Sequence, residues 1–292
     1  MTEHVSVSKI SNYVGQDVVL KGCVYNRTDK GKLVFLLVRD GSGFIQCVAF
    51  KGDLTPELFE TISKLPQESS VIITGSVRED KRAPGIPGGF EVGIKDLQVV
   101  QAAGLDYPMA LKDHGVDFAL DNRHLWIRMQ SQWAILRIRV RVMKAVREYL
   151  DSHGFYNLDT PILTPAAAEG TTTLFETPYF DEGFAYLAQT GQLYNEANIF
   201  AFGKVYCYGP TFRAEKSKTR RHLTEFWMLE PEIAFCDLDQ LMDIEEGLIT
   251  YIAQSVIKDC AAELKFLGRD IAQLEKISSP FPRMSYDDAA KY

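Results

Sequence analysis

Two residues of opposite charge mark the part of this sequence with the clearest chemical character. Arg213 and Glu215 stand two positions apart, on what the preceding apolar run predicts to be a β-strand, and residues 216–222 form a densely basic loop. A guanidinium can bind phosphate bidentately, other basic groups can neutralise further phosphate charge, and a carboxylate can accept from an amino-bearing base. The segment therefore predicts a site for a nucleoside triphosphate. The alternative is an ordinary same-face charge pair beside a solvated loop.

The surrounding elements decide where this pair would lie. Residues 205–212 and 225–232 predict an antiparallel hairpin with the basic loop at its tip. Helical spacing precedes the hairpin over residues 192–201, and Asp237 with Gln240 predicts a capped helix after it. The sequence contains no GxGxxG, P-loop, GxSxG or HExxH pattern. A nucleotide site here must therefore be built on antiparallel strands.

The first hundred residues have the pattern of a small barrel. Short runs rich in Val, Ile and Phe are separated by turn residues, and helical spacing covers residues 55–65. The five runs are residues 18–25, 32–39, 43–50, 71–78 and 90–100. Five strands with a helix between the third and the fourth are the order of an OB β-barrel. Another small β-barrel is the alternative.

One predicted strand of this barrel, residues 32–39, is apolar on both faces, although a barrel needs only one apolar face. Phe35 is therefore a candidate platform for stacking an unpaired base. Gln46 on the adjoining strand is a candidate reader of a base edge, and Arg27 is a candidate phosphate contact. The alternative for Phe35 is an ordinary barrel residue.

The bulk composition is that of a globular protein of about two domains. The 292 residues are 46% hydrophobic and 24% charged, and the formal net charge is −7. This charge excludes a surface that is basic throughout, yet basic residues cluster at 137–147 and 204–221. The five cysteines lack CxxC spacing, and the sequence has neither a signal-peptide pattern nor a membrane-length apolar run. We therefore expect free thiols and a cytoplasmic location.

Three segments, in this order, resemble motifs of the class II aminoacyl-tRNA synthetases in the subgroup for aspartate, asparagine and lysine. Motif 1 is resembled by GFYNLDTPILT at residues 154–164, and the amino-acid-site segment by QTGQLY at 189–194. Motif 2 is resembled by FRAE at residues 212–215 with RHLTEF at 221–226. An N-terminal OB domain is also what this subgroup carries.

The resemblance implies an α+β chain with a hinge between two domains. An OB-fold anticodon-binding domain would cover residues 1–102 and the hinge residues 103–125. Residues 126–292 would form the class II catalytic domain, an antiparallel sheet with flanking helices, as an incomplete N-terminal portion with motifs 1 and 2.

The resemblance also implies ATP as a substrate, Mg²⁺ as its metal, and a role for each residue of the hairpin. Arg213 would bind the α-phosphate of ATP and the amino-acid carboxylate as they react. Glu215 would accept from the adenine amino group, and Phe226 would stack on adenine. Arg221 and His222 would hold the outer phosphates.

The amino-acid site would hold asparagine. Glu169 would pair with the substrate ammonium, Gln192 would read the substrate side chain, and Gln189 and Asn195 would line the same pocket. Aspartyl enzymes usually place a lysine three residues beyond the equivalent of Gln192, where this sequence has Asn195. A neutral residue removes the charge partner that a buried aspartate needs, whereas a carboxamide needs only hydrogen bonds.

The RNA partner implied by the resemblance is tRNA(Asn). Phe35, Gln46 and Glu91 match positions that read the anticodon, and Arg27 stays a candidate phosphate contact. Pro161 of motif 1 matches a proline that helps to form the dimer interface, which implies a homodimer.

One feature of the family is missing. Class II enzymes carry a third motif, a glycine-rich strand and helix with an arginine, preceded by acidic magnesium ligands, and residues 231–292 contain nothing like it. We expect the front portion of a longer enzyme, with magnesium ligands beyond residue 292 and little activation by this chain alone. A natural derivative without catalytic closure is the alternative. Also open are a non-catalytic RNA-binding protein, a non-discriminating aspartyl enzyme and an ATP-dependent asparagine synthetase.

Overall fold

The computed structural model describes residues 3–165, 167, 173–217, 219 and 221–292. Contacts divide the chain into two units. The first comprises Met1–Arg139 and Asp259–Ile271, and the second comprises Val140–Lys258 and Ala272–Tyr292. The predicted domain boundaries at residues 102 and 125 stay a prediction.

A closed β-barrel forms most of the first unit. The strands run in the order β1-β2-β3-β4-β7-β5, and β2 also pairs with β5, which closes the barrel. The five long strands with α1 between the third and the fourth confirm the predicted OB barrel. The elements are β1 (Glu3–His4), a 3-10 helix (Val7–Tyr13), β2 (Asp17–Asp29), β3 (Leu33–Arg39), β4 (Phe44–Phe50), α1 (Pro56–Lys64), β5 (Ser70–Glu79), β6 (Gly85–Ile86) and β7 (Phe90–Gln101).

Alternation of side chains explains the barrel core. On β3, residues 34, 36 and 38 are fully buried, whereas residues 33, 35 and 37 on the outer face are half-buried. At Gly75 the neighbouring strand comes so close that an added Cβ would lie 2.3 Å from the Gly93 carbonyl oxygen. The helix α1 begins where Thr55 Oγ1 accepts from Leu58 N at 3.3 Å, and it buries Phe59 against the core.

The predicted hinge contains two short helices before a long one. These are α2 (Val116–Asp121), α3 (Arg123–Trp126) and α4 (Gln130–Ser152); α7 (Ala261–Phe266) completes the first unit. At the start of α4, the Trp133 ring lies 5.3 Å from that of Phe44, and its Nε1 donates to Gly41 O at 3.0 Å.

A buried carboxylate ties the barrel to the segment before α4 within the same unit. The side chain of Glu68 is only 6% exposed and accepts from both terminal nitrogens of Arg39, at 3.0 and 2.9 Å. Arg128 Nη1 donates to the same carboxylate at 2.9 Å. The two guanidinium groups together satisfy a charge that burial alone would make unfavourable.

The second unit contains two three-stranded sheets. One has the order β13-β12-β8, with β12 antiparallel to β13, and the other has the order β10-β11-β9. The core of the second unit lies where α4 and α6 pack on one face of the β12–β13 hairpin. The elements are β8 (Tyr156–Asn157), β9 (Leu163–Thr164), β10 (Glu176–Pro178), β11 (Phe184–Leu187), α5 (Gln192–Phe202), β12 (Lys204–Phe212), β13 (Glu225–Ile233), α6 (Leu238–Asp259), α8 (Ile271–Glu275) and α9 (Tyr286–Ala289).

Two smaller predictions are confirmed. Gln240 N donates to Asp237 Oδ1 at 2.9 Å and Asp237 N to Gln240 Oε1 at 3.2 Å, which is the expected cap of α6. All five cysteines are free thiols. Within the described residues, no helix is long and apolar enough to cross a membrane.

Candidate active site

The hairpin β12–β13 carries the predicted nucleotide site at its tip. The strands pair in register up to Phe212 opposite Glu225, and Arg213 N then donates to Thr224 O at 3.0 Å. The prediction that Arg213 and Glu215 lie on the strand is wrong, because β12 ends at Phe212. Both residues stand at the start of the connecting loop, where the chain leaves the ladder.

The Arg213 side chain is held from two sides. Its Nη1 donates to Gln189 O and, at 3.2 Å, to Phe212 O. Its Cζ lies 5.5 Å from the centre of the Phe226 ring, which projects from the neighbouring strand. A planar cation is thereby fixed next to an aromatic face, an arrangement that can meet a phosphate while the base of a nucleotide stacks.

All five residues predicted to bind ATP line one cavity of about 460 Å³. Two guanidinium groups and an imidazole face one carboxylate there, so the cavity favours an anionic ligand. Thr219 Oγ1 bonds to His222 Nδ1 and accepts from Arg221 N at 3.3 Å, which orients the loop. The lining residues are Arg213, Glu215, Ser217, Arg221, His222, Leu223, Thr224 and Phe226.

Glu230 is a site residue that the sequence alone did not indicate. Its Oε1 accepts from Gly191 N at 3.0 Å, and its other oxygen accepts from Thr190 Oγ1. The carboxylate therefore fixes the loop between β11 and α5, whose Gln189 in turn accepts from Arg213. The strand period indicates only the face on which Glu230 lies, because residues 226, 228, 230 and 232 share the face of β13 that carries Phe226.

The residues predicted for the amino-acid site lie in different environments. Gln189 is buried, whereas Gln192 is exposed and donates from Nε2 to Glu196 Oε1 at 2.8 Å. Asn195 is completely buried, and its Oδ1 accepts from Asn198 Nδ2 at 3.1 Å. Asn195 Nδ2 has no hydrogen-bond partner in the described part of the chain. The structure thus separates Gln192 from Asn195, and Glu169 lies outside the described residues.

Acidic groups make the base of the hairpin negative. Burial raises the pKa of Glu232, and the charges of Glu196 and Glu230 raise it further. Burial and the nearby Glu230 likewise raise the pKa of the Cys207 thiol to about 12, so this cysteine is not a nucleophile at neutral pH. Since Arg213 stands at the opposite end, the site is positive at the tip and negative at the base.

Pro161 lies apart from the cavity of the predicted ATP residues. It lines a second cavity of about 390 Å³, together with Arg147, Thr190, Trp227 and Glu230 among others. Its predicted part in a dimer interface stays a prediction.

On the barrel, the structure brings three of the four predicted RNA-reading residues to one face. Strand register aligns Gln46 with Glu91, and Gln46 Nε2 donates to Glu91 Oε2 at 3.1 Å. Phe35 lies on the same outer face, because it stands two positions before Leu37, which pairs with Gln46. Arg27 is exposed but pairs with Leu36, which faces the core, so its Cβ lies on the other side of the ladder.

Comparisons with known proteins agree on both halves of the chain. Residues 115–292 match the family of tRNA synthetases class II (D, K and N), and residues 18–100 match the OB-fold nucleic acid binding domains. An asparagine–tRNA ligase of Chloroflexus aurantiacus is 55% identical over 97% of this chain and 64% of its own length. One from Roseiflexus sp. is 53% identical over 98% of this chain, again 64% of its own length.

A solved structure extends the match to the fold. The asparaginyl-tRNA synthetase from Pyrococcus horikoshii complexed with asparaginyl-adenylate is similar with a TM-score of 0.87 and 41% identity. The similarity covers 100% of this chain and 67% of that one. The chain spans 64% of the length of the two curated relatives. By its sequence and its fold, the chain belongs to the class II tRNA synthetases of the D, K and N family.

Proposed function

We propose that this chain supplies the RNA-reading barrel and the ATP-binding hairpin of an asparagine–tRNA ligase. The observation that carries the proposal is the gathering of five predicted ATP-binding residues around one cavity, in a chain more than half identical to proteins of that name. The enzyme would join asparagine to tRNA(Asn) in the cytoplasm and act as a homodimer through motif 1.

In the first step, the asparagine carboxylate attacks the α-phosphate of ATP, and pyrophosphate leaves. Arg213 binds both reacting groups and neutralises the charge that develops, which its two carbonyl contacts and the Phe226 ring support by fixing the guanidinium in advance. Arg221 and His222 hold the departing phosphates, and Glu215 accepts from the adenine amino group. In the second step, the terminal ribose hydroxyl of the tRNA attacks the adenylate carbonyl, an ester bond forms and AMP leaves, so no side-chain nucleophile is needed.

The negative base of the hairpin suits the ammonium group of an amino acid. Glu230 and Glu232 lie on the strand face that carries Phe226, two and three side chains further along. Glu169, in the preceding loop, is proposed as a further partner of this ammonium.

The neutral side chain at position 195 supports asparagine as the substrate. Asn195 is completely buried and neutral, so it offers no charge partner to an aspartate carboxylate, whereas a carboxamide substrate needs none. Gln189 and Gln192 complete the proposed amino-acid site. Asn195→Lys tests the assignment: binding of a non-hydrolysable aspartyl-adenylate analogue should rise relative to the asparaginyl analogue, and an unchanged ratio would remove position 195 from the specificity site.

Magnesium belongs to the proposal only as a companion of ATP. Within the described residues, no group of three or more His, Cys, Asp or Glu side chains could hold a metal ion. We therefore assign no ligand to Mg²⁺ and derive no step through it.

Recognition of tRNA(Asn) would occur on the outer face of the barrel, with Phe35 stacking a base and Gln46 and Glu91 reading base edges. Arg27, whose Cβ lies on the other side of the β2–β3 ladder, stays a candidate phosphate contact. Filter binding of tRNA(Asn) and tRNA(Asp) transcripts to the chain tests this function. We expect tighter binding of tRNA(Asn), with a loss in the Phe35→Ala variant. Equal binding of the two transcripts would contradict the proposal.

A further inference from the structure

We propose that Phe50 is a second base-stacking residue of the barrel. The inference rests on the proposed function, because it requires a single-stranded RNA segment on the outer face of the barrel. It extends that face by one nucleotide beyond the residues assigned above.

Strand register puts Phe50 on the face that carries Phe35. Across the β3–β4 ladder, Gln46 is opposite Leu37, and Phe35 is opposite Val48. The next pair on the same side is Leu33 with Phe50. Phe35 and Phe50 are therefore diagonal neighbours, whose separation in an antiparallel pair is about 7–8 Å. That distance is comparable with one nucleotide step of an extended strand.

The Phe50 ring is both exposed and supported. Phe50 is 43% exposed, whereas Val48 before it on the same face is buried. The ring rests on Gly52, where an added Cβ would lie only 2.7 Å from Phe50 Cε1. The glycine thus lets the ring lie against the backbone of the turn after β4. An aromatic ring held in this way loses little side-chain entropy when a base stacks on it.

Positive charge lies at the same end of the hairpin but on the other face of the ladder. Lys51 N donates to Lys32 O at 3.0 Å, and Lys51 Nζ lies 6.0 Å from the centre of the Phe59 ring, which packs in the barrel core. Lys30 stands in the same turn, where its N donates to Leu33 O at 2.8 Å. Three lysines face two carboxylates, Asp29 and Asp53, so this end of the hairpin is locally positive in a chain of net charge −7.

These features select a nucleotide as the ligand. A single exposed ring is too small an apolar surface for a protein partner, whereas one base covers one ring. The lysines on the other face of the ladder add a general attraction for the RNA backbone. Because every base has a π-face, Phe50 adds affinity without selecting a base, unlike the Gln46 and Glu91 pair.

The test uses an RNA hairpin whose loop carries the asparagine anticodon, titrated into the intact chain by fluorescence anisotropy. We expect Phe50→Leu, which keeps the apolar volume but removes the π-face, to weaken binding roughly 5- to 150-fold. Phe50→Tyr should bind like the parent chain. Phe118→Ala is the matched control, because Phe118 has a similar exposure of 39% and lies on α2 rather than on a barrel strand.

Two further measurements separate stacking from folding and charge. Replacing one loop nucleotide at a time by an abasic residue should abolish the effect of Phe50→Leu at one position only. The double variant Lys32→Ala/Lys51→Ala should leave the abasic pattern of Phe50→Leu unchanged, because Lys51 Nζ lies over Phe59 on the other face of the ladder.

The outcomes distinguish the two proposals. If the parent chain does not bind the hairpin, the proposed RNA-reading function fails, and the inference fails with it. If Phe35→Ala weakens binding but Phe50→Leu and the abasic series do not, the inference alone is overturned. If Phe50→Tyr is as weak as Phe50→Leu, the ring acts through local packing, and the stacking role is rejected.

Discussion

Removing the Glu230 carboxylate should loosen the amino-acid segment and, through it, the ATP site. In Glu230→Leu, the Gly191 amide loses its 3.0 Å bond and the Thr190 hydroxyl loses its acceptor. Hydrogen bonds to charged groups contribute about 1.5–3 kcal/mol each, so two of them give roughly 3–6 kcal/mol against local opening. Gln189 lies in the same segment and accepts from Arg213, so the guanidinium should lose one of its supports.

Hydrogen exchange is the appropriate assay, because a chain of two units need not unfold in one step, whereas exchange reports the opening of a single segment. The free energy of local opening measured at the Gly191 amide should fall by roughly 3–6 kcal/mol. Binding of a non-hydrolysable ATP analogue should weaken in parallel. Glu230→Gln, which keeps one acceptor oxygen, should show a smaller loss. Glu225→Leu, an exposed change at the start of the same strand, is the control.

Equal exchange of the Gly191 amide in the Glu230→Leu and Glu225→Leu variants would show that the Glu230 carboxylate does not hold this segment. A loss of protection without a change in nucleotide binding would show that the link through Gln189 and Arg213 carries no energy.

Three other predictions concern separate parts of the chain. Burial and acidic neighbours raise the pKa of Glu232, so the ionised carboxylate destabilises the folded state at pH 7. Glu232→Gln should therefore raise the free energy of unfolding in urea at pH 7, and this gain should vanish below the usual glutamate pKa, where the carboxyl is protonated in both states. Glu68→Leu leaves two guanidinium groups without their buried partner and should lower the unfolding free energy by about 3–5 kcal/mol, whereas Glu60→Ala, at an exposed pair, should cost less than about 1 kcal/mol. Arg213→Lys keeps the charge but loses the planar fork, so calorimetry should show roughly tenfold weaker binding of the ATP analogue.

Local patterns were sufficient for most of the elements. The barrel strands follow from the two-residue period and the turn residues, and the α6 cap follows from Asp237 and Gln240 alone. The residues predicted for ATP share a cavity because they are neighbours on one hairpin, so few long-range contacts had to be inferred.

Long-range contacts account for what the sequence did not reveal. Glu230 meets Gly191 only because β13 folds back beside the β11–α5 loop, a contact that no local pattern encodes. The strands β9 and β11 have two and four residues, too few to show a period. Arg213 leaves the ladder because pairing ends at Phe212, a boundary set by the loop rather than by strand propensity.

The substrate is the central claim, and competition between two ligands tests it most directly. Calorimetric titration of the unmodified chain with non-hydrolysable analogues of asparaginyl-adenylate and aspartyl-adenylate gives the ratio of their dissociation constants. We predict tighter binding of the asparaginyl analogue, because position 195 supplies no positive charge that could pair with the aspartyl carboxylate. Equal or tighter binding of the aspartyl analogue would contradict the assignment of this chain to an asparagine–tRNA ligase.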